Sequence, residues 1–197
     1  MADNPFARVK KPAPPRREPC DVVIFDLDDT LSHTQWRAHH LDKEKNGGKA
    51  NWAVFFENCR HDPPIEAMMA HAKALVAAGA KLVFFTGRPE AQRKNTLEWL
   101  AEHGLDVLSL RMRPQRSFIP DHRLKKMWME DLKKDGHHSV CAFDDRLDNR
   151  TVFSEFGVRS ADPANAEESL ALAVMAAGIL SERRAAREKV STKAPGP

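Results

Sequence analysis

The sequence predicts an α/β protein: a three-layer domain built on a parallel sheet, with a small helical insert. Short apolar runs alternate with helical patterns, and the crossovers between runs exceed ten residues, as parallel strands require. The runs are nearly continuous in apolar residues, as expected for strands covered on both faces. One connection, Ser32–Pro64, is too long for an ordinary strand-to-helix loop and reads as an insert.

Taken in order, residues 1–19 carry five prolines among charges and are expected to stay disordered, because such a segment cannot bury a core. The first strand is expected over Cys20–Asp26, centred on Val22, Val23, Ile24 and Phe25. Within the insert, short helices are predicted near Thr34–Leu41 and Ala50–Cys59, separated by the Lys- and Gly-containing stretch Lys43–Lys49. Ile65, Met68, Met69, Ala72, Leu75 and Val76 form an apolar stripe at helical spacing, so a core helix is predicted over Ile65–Ala78, ending near Gly79. A strand follows at Lys81–Phe85. The next helix has Pro89 in its first turn and Gly104 beyond its end, with Leu97, Trp99 and Leu100 toward the core. Further strands are expected at Val107–Leu110, Val140–Phe143 and Val158–Ser160, with helices over Asp121–Lys134 and Asp148–Phe156 between them. Residues 166–189 read as a last helix that packs on the core or mediates dimerisation, and 193–197 as a loose end. The domain plan is therefore a core of 20–31 and 65–161, an insert of 32–64, a helical extension of 162–190 and tails of 1–19 and 191–197.

Bulk properties narrow the class. The chain has 197 residues, enough for one substantial core, and 42% hydrophobic with 30% charged residues fits a soluble protein. No apolar run is long enough to span a bilayer, so no membrane partner is expected, and the proline-rich N-terminus lacks the apolar stretch of a secretory signal. Cys20, Cys59 and Cys141 are odd in number and widely spaced, which suits a reducing cytoplasm, bacterial or that of a phage-infected host. Cys20 and Cys141 border strands and are expected to be buried small hydrophobes. Each end carries five Lys/Arg against two Asp/Glu, so the net charge of +3 comes from the tails and the middle is net acidic.

The chemistry sits where the strands end. Asp26, Asp28 and Asp29 follow the first strand, Thr86-Gly87-Arg88 the second, and Asp144-Asp145 the strand near residue 143. Parallel α/β sheets bind ligands at the carboxyl ends of their strands, so these three segments converge on one crevice. Asp26 and Asp28 are two residues apart, which in extended chain puts both carboxylates on one side. Like charges this close are costly unless a cation or phosphate chemistry requires them, so an Mg²⁺-dependent phosphoryl site is the leading expectation. Thr86 offers a hydroxyl and Gly87 an unobstructed N–H for phosphate oxygens, and Arg88 a fork of donors; the bland alternative is a capping threonine and a surface arginine. Asp29 is expected to bond nearby backbone N–H groups.

These motifs, in this order and strand context, resemble those of the haloacid dehalogenase-like (HAD) phosphatase superfamily. The resemblance implies a Rossmann-like core with a helical cap. It implies that Asp26 attacks phosphorus to form an aspartyl-phosphate, and that Asp28 protonates the leaving oxygen and then activates water. It further implies that Mg²⁺ is held by Asp26, the Asp28 backbone carbonyl and Asp144, and that Thr86, Gly87, Arg88 and Lys125 bind phosphate. Lys126 is adjacent, but neighbours on a helix point about 100° apart, so only one faces the crevice; the resemblance favours Lys125. Phe143-Asp144-Asp145-Arg146 with the arginines before Lys125 also resembles the phosphatase domain of bacteriophage polynucleotide kinase/phosphatase and related stand-alone phosphatases. By that similarity Asp145 and Arg146 support the metal site or the phosphate. No GxxxxGK[ST] loop is present, so no attached kinase is expected, which weakens the expectation of DNA-end processing.

The substrate is expected to be a phosphorylated nucleotide or a 3′-phosphorylated nucleic-acid end. A sugar phosphate or other small phosphomonoester is the alternative, and a non-catalytic binding or regulatory module a remoter one. Arg111, Arg113 and Arg116, near Arg123 and the lysines, read as a basic patch for a polyanion, or as ordinary solubilising charge. Trp36 or Phe56 could stack on a base, although Trp52, Phe55 and Phe56 at their spacing read first as one packed helix face.

Overall fold

The structure, a computed structural model, describes residues 18–191. The expectations for the proline-rich tail and for 193–197 lie outside these residues.

Five parallel strands form one sheet: β1 (Asp21–Phe25), β2 (Lys81–Pro89), β3 (Val107–Arg113), β4 (His138–Phe143) and β5 (Arg159–Ala161), in the order β3-β2-β1-β4-β5. β1 is central, and every residue in it is buried. Side chains alternate along it: Val23 and Phe25 pack with one helical layer, Val22 and Ile24 with the other. The first layer contains α2 (Glu66–Ala77), α3 (Arg93–Glu102) and α6 (Ala166–Ser191), contributing Met68, Trp99 and Leu172; the second contains α4 (Asp121–Lys134) and α5 (Leu147–Glu155), contributing Trp128 and Phe153. The predicted three-layer parallel architecture is the observed one.

Between β1 and α2, the insert folds as a 3₁₀ turn at Gln35–Leu41, α1 (Trp52–Glu57) and a second 3₁₀ turn at Asn58–His61. The Asn51 side chain accepts a bond from the Val54 N–H and caps α1. The two ends of the insert are joined: the His33 N–H donates to the Pro63 carbonyl and the Ile65 N–H to the Leu31 carbonyl, both at 2.8 Å.

Four local expectations change. Pro89 closes β2 instead of opening a helix; a proline at a strand end removes no ladder bond, and α3 begins only after a 3₁₀ turn at Glu90–Gln92. Leu97 and Val76 point outward, because each lies 100–200° around its helix from Trp99 and Leu75, which take the core positions. Cys20 is only half-buried, packed at the edge of the core beside His137, whereas Cys141 is buried. Trp52, Phe55 and Phe56 do not share one packed face: Phe55 is buried, while Trp52 remains 54% exposed.

Candidate active site

The carboxyl ends of β1, β2 and β4 meet at a crevice of about 740 Å³. Its floor holds Asp26, Asp28, Gly87 and Asp145, and Trp52, Phe55 and Phe56 of the insert line its apolar side. Behind the floor Lys125 is fully buried. Its ammonium donates to Asp26 Oδ1 at 2.7 Å and Asp144 Oδ2 at 2.6 Å, with Asp121 Oδ2 at 3.3 Å. Lys126 points to Glu155 on the surface, so one lysine of the pair faces inward and it is Lys125.

Three carboxylates, Asp26, Asp121 and Asp144, meet the one buried ammonium, and Asp145 adds a further acid nearby, while Arg113 shares Asp121; the cluster keeps an excess of acid. Burial raises the Asp26 pKa well above the usual carboxylate range; Asp144, Asp121 and Asp145 add to this, and Lys125 only partly opposes it. Burial and Asp144 push Asp145 up to about 6. For Lys125 burial disfavours the charge, but Asp26, Asp144 and Asp121 outweigh it and its pKa is raised.

Asp28 has the opposite environment. Burial disfavours its charge, but Arg88 and Arg37 overcome that and lower its pKa. Asp28 Oδ1 accepts from Arg88 Nε at 2.9 Å, Arg88 Nη2 at 2.6 Å and Arg37 Nη2 at 2.7 Å. Both guanidinium groups also donate to the buried Asp62, and Trp36 Nε1 adds a bond to it at 2.9 Å. Two arginines and Asp62, all buried, thus join the insert to the core through Asp28, whose side chain stays partly open to the crevice.

Of the second motif, Gly87 reaches the crevice. A Cβ there would lie 3.2 Å from Asp121 Oδ1, so any larger residue would push the Asp121 carboxylate back by a few tenths of an ångström. Thr86 is buried, and its hydroxyl oxygen accepts from the Arg88 N–H at 3.2 Å. Arg88 is directed at Asp28 and Asp62 rather than into the crevice. Asp29 bonds locally as expected: its carboxylate accepts from the Thr34 N–H at 3.1 Å and from the Thr34 hydroxyl. This occurs at a φ of 57°, in the left-handed region that aspartate tolerates better than most residues.

The arginines do not form one patch. Arg111 pairs with Asp135 at the far end of α4, while Arg113 bonds the Gly87 and Ile119 carbonyls and Asp121, bracing the crevice wall. Arg116 is exposed on the β3–α4 loop and does not line the crevice. Arg146 does line it, paired with Asp148. Phe56 lines the crevice, whereas Trp36 is turned to Asp62.

The model of the HAD superfamily, subfamily IIIB (acid phosphatase), matches residues 7–149, well over half the chain. The chain belongs to this family. At the level of the family the activity is Mg²⁺-dependent phosphomonoester hydrolysis, and the chain carries the HAD phosphatase domain. Two chains from structures of the Pnkp1/Rnl/Hen1 RNA repair complex are similar in fold. One is 22% identical, with a TM-score of 0.60, covering 72% of this chain and 42% of that one. The other is 20% identical at 0.60, covering 78% and 50%. This chain thus spans half or less of those relatives. A class C acid phosphatase from Bacillus anthracis with tungstate bound is 14% identical, with a TM-score of 0.50, covering 72% of this chain and 63% of that one. No curated protein sequence matches.

The donors of this HAD site fit Mg²⁺. All are hard oxygens, and the acid excess around Lys125 calls for a further cation. Among the described residues no three His, Cys, Asp or Glu side chains form a ready-made cage. Mg²⁺ commonly uses one or two carboxylates, keeps several waters and takes substrate phosphate as a ligand. A carboxyl whose folded pKa is raised contributes stability below its ordinary range and loses it as pH rises through the raised value. Asp26 and Asp145 therefore strain the metal-free protein at neutral pH and not at acid pH. Saturating Mg²⁺ is expected to raise the melting temperature by roughly 5–10 °C near pH 7.5 and much less near pH 5. Thermal melts in Mg²⁺ and in EDTA at both pH values test this; an equal gain at both would remove the carboxylates as the metal's ligands.

Sequence reasoning missed four residues of the site. Asp121 had a local signal, its i, i+4 spacing to Lys125. Asn149 is buried and donates to Asp121 and Asp144; Arg37 and Asp62 meet only in three dimensions, and none of these three had a sequence signal.

Proposed function

We propose that this chain is a Mg²⁺-dependent phosphomonoesterase that works through an aspartyl-phosphate on Asp26 and acts on nucleotides or 3′-phosphorylated nucleic-acid ends. The observation that carries the reading is the crevice itself: the Asp26 carboxylate lies on its floor, backed by Lys125, while its apolar side is aromatic. One Asp26 oxygen attacks phosphorus as the bond from phosphorus to the ester oxygen breaks, and Asp28 gives that oxygen its proton. Asp28 then takes a proton from water, whose oxygen attacks phosphorus and frees phosphate, restoring Asp26. Arg88 and Arg37 lower the Asp28 pKa, which suits its base role in the second half; the first half draws on the protonated form of Asp28, whose population falls steadily as pH rises above the acid range. Gly87, at the crevice, offers its N–H to the phosphate oxygens, and Lys125, behind Asp26, offsets their charge, while buried Thr86 braces the motif through the Arg88 N–H. Asp26, Asp144 and the Asp28 carbonyl would hold Mg²⁺, which when bound neutralises charge that would repel the nucleophile.

The nucleotide assignment draws on the aromatic wall and on the fold shared with chains of an RNA repair complex. In this reading segment 32–64 is the cap and 162–190 an extension packed on the core. The buried free thiols of Cys59 and Cys141 favour a cytoplasmic setting. Among the described residues no helix is long and apolar enough to cross a membrane.

The test is phosphate release with Mg²⁺ on matched 3′-phosphorylated and 5′-phosphorylated oligonucleotides, mononucleotides and glycerol phosphate. Preference for a nucleotide or a 3′ end supports the proposal. Preference for glycerol phosphate would move the substrate to small metabolites and leave the chemistry in place.

A further inference from the structure

The inner side of α6 is accounted for by the core. Ser169, Leu172, Ala173, Ala176 and Leu180 are buried, and Arg183 and Arg187 bond the Asp21 carboxylate at 2.6 and 2.8 Å. Its outer side is not. Leu170 is 54% exposed and Val174 65%, and Gly178, Ser181 and Ala185 follow, all open to solvent. Steps of three and four residues put these five on one face. From Ser169 to Ser181 the helix carries no charged residue at all. A solvated helix face ordinarily carries charge, so a bare apolar one marks a surface with a partner.

The charges of α6 stand at its two ends and differ in sign. Glu167 and Glu168 open the helix with no base beside them, whereas residues 182–191 hold Arg183, Arg184, Arg187 and Lys189 against Glu182 and Glu188. This order suits the helix's own dipole, but the dipole does not empty the middle of charge. The chain's N-terminal segment is a poor match for the face. Residues 1–19 carry five Lys/Arg against two Asp/Glu, and the strand that follows them is tied to the basic end of α6. A helix of the same charge order, laid head to tail, is matched at both ends. A second copy of α6 has that order.

We infer that the outer face of α6 pairs antiparallel with the same face of a second copy of the chain, about a two-fold axis near residues 174–177. Setting Glu167 opposite the partner's Arg184 fixes the register: Leu170 then meets the partner's Ser181, and Val174 the partner's Ala177 and Gly178. Gly178 presents only backbone, and a Cβ on it would meet nothing within 4 Å, so the helices can approach closely there. Arg184 is bonded through Nε to Glu188 at 3.1 Å and its side chain stays 63% exposed. Exposed ion pairs of this kind set the direction of the pairing and add little affinity. Burial of Leu170 and Val174 supplies the affinity. One face of a 26-residue helix buries on the order of 1,000 Å² in total, the low end for specific interfaces, so the dimer is weak and its Kd lies in the micromolar range.

The experiment is sedimentation velocity of the full chain from about 1 to 300 μM, a span that brackets a micromolar Kd. The wild type is expected to move from monomer toward dimer as concentration rises. Val174→Glu puts a charge in the middle of the contact and should weaken association by about tenfold or more. Val174 is too exposed for this change to unfold the chain, so melting temperature at low concentration should stay at the wild-type value. Glu167→Lys and Arg184→Glu should each weaken association by about three- to tenfold and, combined in one chain, restore it, because each copy then offers the reversed pair. A wild type that stays monomeric throughout would overturn the inference; a dimer that formed only after removal of residues 1–17 would overturn it too and assign the face to the N-terminal segment. A dimer that Val174→Glu leaves unweakened would place the contact elsewhere. Failure of the double charge swap to restore association would overturn the antiparallel register.

Discussion

Replacing Asp26 by Asn is expected to lower phosphate release by about four orders of magnitude or more while leaving the fold intact. The two side chains have the same shape, and the amide can still meet the Lys125 ammonium through its oxygen. What disappears is the oxygen nucleophile. The expected stability effect is small and runs toward stabilisation. Asp26 is a carboxylate whose charge is opposed by burial and by Asp144, Asp121 and Asp145, so a neutral group relieves repulsion at neutral pH. Phosphate release and thermal melts in EDTA, measured on the same preparation, separate the two effects. Residual activity within tenfold of the wild type would remove Asp26 as the nucleophile; a collapse of the melting temperature would make the loss of activity uninformative, and Asp26→Ser would then be compared.

Lys125→Met is expected to cost both stability and activity. The lysine is fully buried and is bonded to Asp26 and Asp144, with Asp121 close by. Removing one partner from a buried charge cluster costs about 3–5 kcal/mol, because the others are left uncompensated. In a chain of this size that corresponds to a drop of roughly 10–15 °C in melting temperature. Mg²⁺ should recover part of the loss by supplying charge to the same carboxylates. Lys126→Met changes only an exposed pair with Glu155 and is expected to leave both melting temperature and turnover close to wild type. Denaturant melts and turnover of the two variants side by side decide the matter. Should Lys126→Met prove the damaging one, the assignment of the inward lysine is wrong.

The sheet could be read from the chain because its strands are short, apolar and closed by charge. Val22–Phe25 stands between a proline-rich stretch and three aspartates, and a β-branched run of this length bounded so closely reads as a buried strand. The crevice could be read for the same reason, since parallel strands must bring Asp26, Gly87 and Asp144 to one edge. Arg37 and Asp62 could not. They lie 25 residues apart in an insert without regular apolar period, and their partners Asp28 and Arg88 come from two core strands' ends. Arg111 and Arg113 illustrate the opposite error. Near one another in sequence, they suggested a shared surface; the period of β3 turns both toward α4, whose antiparallel course gives one Asp135 and the other Asp121. Trp52 and Phe56 were read as packing because spacing on a helix defines a face but not what covers it.

The buried bridge of Arg37 and Asp62 to Asp28 and Arg88 also bears on the tempo of turnover. Swinging the insert away would break the Arg37–Asp28 and Arg88–Asp62 bonds, which favour the closed arrangement. Many enzymes are paced by a lid that must lift before product escapes. Here those bonds hold the insert against the core, so turnover is not expected to wait on a lid. Solvent viscosity should then slow turnover only through diffusion of the ester itself.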